Sequence, residues 1–194
     1  MNMENLIISL IFKDVSFSKE EINLILNKLE SVSFKKGETL LKANQTVTNQ
    51  YYVKNGCLRT YFMDKSGKEH TIQFAIKDWW ISDYTAFFSS KKAIMTIECI
   101  QDTELYIISR KNMEKLYLEI PKLETFFRKK MEKSFASFQK RIIASLSESA
   151  KERYISFIKT YPNIEQLIKN YHIASYLGIT TESLSRIRKE ITEN

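Results

Sequence analysis

Cysteine, histidine, proline and glycine are all scarce in this sequence, and each shortage removes a class of protein. The two cysteines, Cys57 and Cys99, are too few for a disulfide framework. They also fall short of the roughly four thiolates that an iron–sulfur cluster takes. A reducing compartment and a cytoplasmic location are expected. The two histidines, His70 and His172, stand far apart with no ligand spacing, so no metal site is expected. His70 beside Glu69 would suit the mouth of a metal-binding barrel only with further histidines around it. It reads instead as a cross-strand surface residue. The four glycines form no phosphate-cradling loop, and no nucleophile elbow or triad accompanies them. Catalysis is therefore not expected, and no cofactor is called for. Long apolar runs are missing too. The stretch Leu6 to Phe12 is too short to span a bilayer, has no basic segment before it and lacks a small-residue cleavage site. It reads as a docking helix or arm, and no membrane partner is expected.

Positive charge is plentiful. Thirty Lys and Arg against 23 Asp and Glu leave a net charge of +7 in 194 residues, a balance that favours polyanionic partners. Polar and apolar residues change their spacing twice along the chain. In "SFSKEEINLILNKLESV", Ser18 and Glu21 have capping-box spacing, and Ile22, Ile25, Leu26 and Leu29 follow at helical intervals. From about Ser33 to Ser109 the runs "YYVKNGCLRTYFMD", "EHTIQFAI", "AIMTIECI" and "ELYIIS" are strand-like and separated by turn signals. "DKSGKE", with Gly67, is a hairpin loop, and "KNG" is another turn. Strands this short and this regularly spaced suggest a sandwich or barrel. After Ser109 the pattern is helical to the end.

The two prolines punctuate those helices. Pro121 ends one and opens the next, and Pro162 closes a third, "SAKERYISFIKTYP". Between them, "PKLETFFRKKMEKSFASFQKRIIASLSES" has no internal Gly or Pro. Met131, Phe135, Phe138 and Ile142 step by four, three and four along it, a narrow seam that predicts pairing with a second copy of the chain.

The last piece, "NYHIASYLGITTESLSRIRKE", predicts two short helices crossing at a glycine. Ile173, Ala174 and Leu177 face inward, with Ala174 small enough for a close crossing. Gly178 supplies a turn conformation that a β-carbon would resist. Ile179 plugs the gap, Thr180 caps the second helix, and Leu184 and Ile187 point back into the core. Thr181, Glu182, Ser185, Arg186 and Lys189 are left facing out. Such a helix fits a DNA major groove, where Arg makes a bidentate contact to guanine and Glu accepts from cytosine.

Helix, antiparallel β unit, long helix and small helical unit, in that order, resemble the Crp/Fnr-type transcriptional regulators over nearly the whole chain. The resemblance is carried by "YYVKNGCLRTYFMDKSGKEHTIQFAIKDWW", by the long helix from Pro121 and by "IASYLGITTESLSRIRKEI". It implies an α+β fold. An N-terminal antiparallel jelly-roll barrel for effector sensing would take residues 1–120, a dimerisation helix 121–147 and a helix-turn-helix 148–194. Thr181, Glu182 and Arg186 would occupy the family's base-reading positions, although the family often has arginine where this chain has Thr181.

Two departures qualify the resemblance. The resemblance implies a β-hairpin wing beyond the recognition helix, whereas this sequence stops at "ITEN", so the wing is expected to be missing unless "PNIEQLIKNYH" takes its role. Cyclic-nucleotide binders also carry Gly-Glu and then Arg with Ser or Thr, whereas here Ser82-Asp83 stands in that place and no arginine occurs between Arg59 and Arg110. Trp80, Ser82, Asp83, Tyr84, Lys91 and Lys92 are candidates for an effector pocket. The aromatic group of Trp79, Trp80, Tyr84, Phe87 and Phe88 equally suits plain barrel core. Two functions stay open. One is a dimeric regulator that binds an inverted-repeat DNA site, with RNA polymerase as a further partner and an effector unknown. The other is a sensor or interaction protein that keeps the barrel and binds no DNA.

Overall fold

A computed structural model describes residues 3–193. It begins with α1 (Met3–Ile11) and α2 (Lys19–Leu26), the second opened by a complete Ser18/Glu21 capping box. Ile8, Ile11 and Phe12 are buried, so the amino-terminal segment is a docking helix.

Eight strands follow: β1 (Glu30–Phe34), β2 (Thr39–Leu41), β3 (Asn49–Asn55), β4 (Cys57–Met63), β5 (Glu69–Ile76), β6 (Trp80–Ile81), β7 (Thr96–Cys99) and β8 (Thr103–Ser109), with α3 (Tyr84–Ser89) between β6 and β7. They form two four-stranded antiparallel sheets, β1-β8-β3-β6 and β2-β7-β4-β5. The jelly roll is thus a two-sheet roll, and hydrogen bonds do not close it into a barrel. Gly56 turns β3 into β4 at φ +97°. A β-carbon there would lie 2.5 Å from the Asp102 carbonyl oxygen, so no other residue fits. Leu58, Ile81, Ile97 and Leu105 fill the space between the sheets.

Then come α4 (Arg110–Glu119), α5 (Pro121–Ser147), α6 (Ala150–Thr160), a 3-10 turn (Ile164–Gln166), α7 (Asn170–Leu177) and α8 (Thr181–Thr192). Pro121 opens α5 and needs no partner for an N–H it lacks. α5 packs its first turns, Leu123, Phe126 and Phe127, against α1, α2 and α4. Its second half runs beside β5, where the Arg141 guanidinium donates to the Ile72 carbonyl and lies 4.8 Å from the Tyr176 ring.

The small C-terminal helices share one core with the outer face of the second sheet. Phe74, Cys57 and Ile100 from the strands pack with Tyr154, Phe157, Tyr161, Ile173, Leu184 and Ile187. Each fully buried large side chain of this kind contributes about 1.5–3 kcal/mol. Ser175 adds a polar fastening: its hydroxyl donates to the Glu69 carbonyl and accepts from the Thr71 N–H, both 2.9 Å, on the edge strand β5.

Candidate nucleic-acid interface

The α7–α8 unit is built as its sequence predicts. Gly178 ends α7 in the left-handed region at φ +68°. The Thr180 hydroxyl accepts from the Ser183 N–H and caps α8. Ile173, Ala174 and Leu177 meet Leu184 and Ile187 in the buried seam between the two helices. Those anchors leave Glu182, Ser185, Arg186 and Lys189 exposed, with Thr181 half-buried at the start of the helix.

The polar atoms of that face are lightly engaged. The Ser185 hydroxyl donates back to the Thr181 carbonyl at 3.0 Å. Glu182 accepts from the Thr181 hydroxyl at 3.1 Å. Its own backbone N–H, with the hydroxyls of Thr180 and Thr181, holds its carboxyl below the usual carboxylate range, so it is an acceptor at neutral pH. Lys189 lies 3.7 Å from Glu193 in a loose, exposed i,i+4 pair. Among the described residues, no hydrogen bond or ion pair engages Arg186. Glu182 and Arg186 sit one turn apart without pairing, so each keeps its own capacity to bond. Thr181 also lines a cleft of about 290 Å³ with Arg59, Lys68, Glu69, Tyr171 and Ser175, where the unit abuts the β4–β5 hairpin.

No strand follows α8 among the described residues. "PNIEQLIKNYH" does not project as a wing either. Its Ile164 and Ile168 are buried beneath α6 and α7, so the segment is a packed connector.

The six candidate effector residues are dispersed. Trp80 turns toward the helices and packs on Phe127 at 5.0 Å and Tyr52 at 5.4 Å, while its neighbour Trp79 lies on Tyr161 at 5.3 Å. The Ser82 hydroxyl donates to the Asn49 carbonyl. Asp83 is fully buried. One carboxylate oxygen accepts from the N–H groups of Thr85 and Ala86 and from the Thr85 hydroxyl, and the other accepts from the N–H groups of Ile94 and Met95. Tyr84 stacks on Phe88. Lys91 is exposed, and Lys92 donates to the Thr46 hydroxyl. Arg110 serves the other end of α3, donating to the carbonyls of Phe87 and Phe88 and to the Ser90 hydroxyl. The chain's own charges therefore hold both ends of this segment. The cleft of about 180 Å³ nearby is lined by Gln50, Phe87, Phe88, Tyr117 and Met131 and takes in none of the six.

Sequence reasoning passed over Arg188. Its guanidinium reaches Glu165, Asn170 and Tyr154 and ties α8 to the 3-10 turn, α7 and α6. The one signal was its place directly after the inward-facing Ile187, on the flank of the apolar stripe. Along α5, Phe135 is 64% and Ile142 60% exposed, with Met131 and Phe138 partly so.

Comparison with known proteins agrees with this geometry. Residues 31–119 match the model of the cyclic nucleotide-binding domain. The transcriptional activator protein FnrA of Stutzerimonas stutzeri is 20% identical over 171 residues, which cover 82% of this chain and 69% of that protein. Among solved structures, FixK2 of Bradyrhizobium japonicum superposes with a TM-score of 0.72 at 18% identity, covering 85% of each chain. The c-di-GMP-responsive global regulator CLP of Xanthomonas campestris gives 0.71 at 12% identity, covering 91% of this chain and 92% of that one. Residues 31–119 thus match a cyclic nucleotide-binding domain, the relatives found are named transcriptional regulators, and the fold is shared with a structure described as a transcriptional regulator of the Crp/Fnr family from Eubacterium rectale.

Proposed function

We propose that the chain is a dimeric, sequence-specific DNA-binding regulator that reads the major groove with α8, and that it is not an enzyme. The observation that carries this reading is the asymmetry of α8. Leu184 and Ile187 fix its inner face, while Arg186 and Glu182 stand outward with their bonding capacity open. Arg186 is assigned to a guanine edge, Glu182 to a cytosine amino group, Thr181 and Ser185 to neighbouring base edges, and Lys189 to a phosphate.

Pairing along Met131, Phe135, Phe138 and Ile142 would bury an apolar stripe that a monomer leaves in water. It would also present two copies of α8 to one face of a duplex. The division of labour is then residues 1–120 for the roll and its helices, 121–147 for pairing and 148–194 for DNA. A DNA partner fits the expected cytoplasmic location, and none of the described helices is long and apolar enough to cross a membrane. RNA polymerase is the further partner through which bound DNA would be read out.

The test is selection on randomised duplexes. The expected product is an inverted repeat with half-sites about one helical turn apart, held with an affinity that falls steeply as salt rises. Phe135→Glu with Phe138→Glu should yield monomers by light scattering and lose preference for the two-half-site repeat. If no sequence is enriched, the chain is instead a sensor or interaction protein that keeps the roll without reading DNA.

A further inference from the structure

Apolar packing fixes how deep α8 sits but leaves it room to tilt. Leu184 and Ile187 are buried, three residues and only about 4.5 Å apart along the helix axis, and Ile191 beyond them is only partly buried, so a helix held by this stripe alone still rocks. A second constraint is visible on the flank. Arg188 Nη1 donates to Asn170 Oδ1 at 2.7 Å and Nε donates to the Tyr154 hydroxyl at 3.3 Å. Nη2 lies 2.5 Å from Glu165 Oε1, a close ion pair without aligned hydrogen-bond geometry. The Tyr154 hydroxyl itself donates to the same Glu165 oxygen at 2.5 Å. One guanidinium thus joins α8 to α6, the 3-10 turn and the start of α7.

The anchor is firm because Tyr154 is buried in the shared core. The Arg188 side chain is 27% exposed, whereas Lys189 beside it is 75% exposed. All three nitrogens of Arg188 face protein partners, so a phosphate would have to displace them.

We propose that Arg188 is a positioning residue for DNA reading, which sets the pitch at which Glu182 and Arg186 meet base edges and does not itself touch DNA. This rests on the reading of α8 given above. Thr181 lies seven residues from Arg188, about 10 Å along the axis, so a tilt of about 10° at the clamp moves the base-reading end by roughly 2 Å. Phosphate contacts from flexible side chains absorb such a shift, and bidentate contacts to base edges do not. The clamp should therefore govern discrimination more than total affinity. A planar fork suits three partners at once in a way that a lysine ammonium does not.

The experiment compares Glu165→Gln, Tyr154→Phe and Arg188→Lys with wild type, on the selected duplex and on an unrelated duplex at one salt concentration, and adds a salt series for Arg188→Ala. Tyr154→Phe and Glu165→Gln leave the charge of Arg188 in place. The expected result is a fall of about tenfold in the ratio of selected to unrelated affinity for Glu165→Gln and Arg188→Lys, with unrelated affinity kept within about twofold. Tyr154→Phe should show a smaller fall. Retained binding to unrelated DNA also shows that the variants are folded. An unchanged ratio overturns the proposal. So does a parallel loss on both duplexes, which marks a merely structural role, or an Arg188→Ala salt slope about one unit shallower, which marks a phosphate contact. A wild type with no preferred sequence sinks the reading of α8 and the clamp together. A preferred site with an unchanged ratio sinks the clamp alone.

Discussion

The segment around Asp83 and the outer face of α8 are the two polar stretches that the sequence puts forward as sites, and the structure treats them oppositely. Asp83 commits both carboxylate oxygens to backbone N–H groups of Thr85, Ala86, Ile94 and Met95. Glu182 engages only its own N–H and the exposed hydroxyls of the α8 N-terminus, and among the described residues Arg186 makes no hydrogen bond or ion pair. Charge and polarity alone do not mark a binding site. What marks it is bonding capacity left over once the fold has taken its share.

The contrast predicts where each residue acts. Asp83→Ala takes the acceptor from the Thr85, Ile94 and Met95 N–H groups, while that of Ala86 keeps the Asp83 carbonyl; this costs about 3 kcal/mol, whereas Glu182→Ala changes stability by no more than about 0.5 kcal/mol. Urea unfolding of the two variants measures both. Since the Asp83 carboxylate occupies the cradle of N–H groups that an anion would otherwise need, titration calorimetry with cyclic AMP and cyclic GMP should show no saturable heat at sub-millimolar ligand. Saturable heat with either would mean the segment opens, and the contrast would collapse.

Arg186→Ala carries the second effect, on DNA and not on stability. It should weaken the preferred site by about 1–3 kcal/mol and relax the choice at one base pair. Selection on randomised DNA decides it. Equal enrichment of one motif by wild type and variant would mean that Arg186 reads no base.

Local grammar made α8 legible. Thr180, Gly178, Leu184 and Ile187 each act within a few residues of their own position, and so do the Ser18/Glu21 and Ser149/Glu152 capping boxes. Asp83 was opaque because two of its partners are backbone groups eleven and twelve residues downstream. Arg188 was opaque for a like reason, with partners on three elements. The strands β1, β2 and β6 escaped notice because they are short, and because the helical reading of "SFSKEEINLILNKLESV" absorbed Glu30–Val32, whereas α2 ends at Leu26 and those residues open β1, of which no residue is fully buried. Trp79 and Trp80 looked like one aromatic group, but adjacent positions on extended chain point to opposite sides, one to each core.

The junction between roll and helices offers a pH handle of intermediate size. His172 is buried with no partner for Nδ1. Burial, followed by the nearby charges of Arg59 and Lys169, pushes its pKa from 6.5 to about 4. The unfolded chain then binds the extra proton between about pH 6.5 and 4, so this contribution to stability is whole above 6.5 and lost as pH falls toward 4. His172→Gln should flatten the decline in melting temperature between pH 6.5 and 4.5, above the range where most carboxylates titrate. An unchanged decline would assign it to other groups.

Lys189 carries the smallest effect and separates positioning contacts from reading contacts on one helix. Its pair with Glu193 is long and exposed and holds the ammonium weakly, so a phosphate can take it at little cost. A lysine that meets only phosphate carries no sequence information. Lys189→Ala should therefore weaken binding to all duplexes alike, leave the selected motif as it was, and flatten the dependence of log affinity on log salt by about one unit. Measured beside Arg186→Ala, it gives two changes three residues apart with different signatures: Arg186→Ala changes the selected motif, whereas Lys189→Ala changes the salt slope and leaves the motif as it was. A Lys189→Ala variant that altered the motif would place its side chain at a base edge and extend the reading face by nearly a turn.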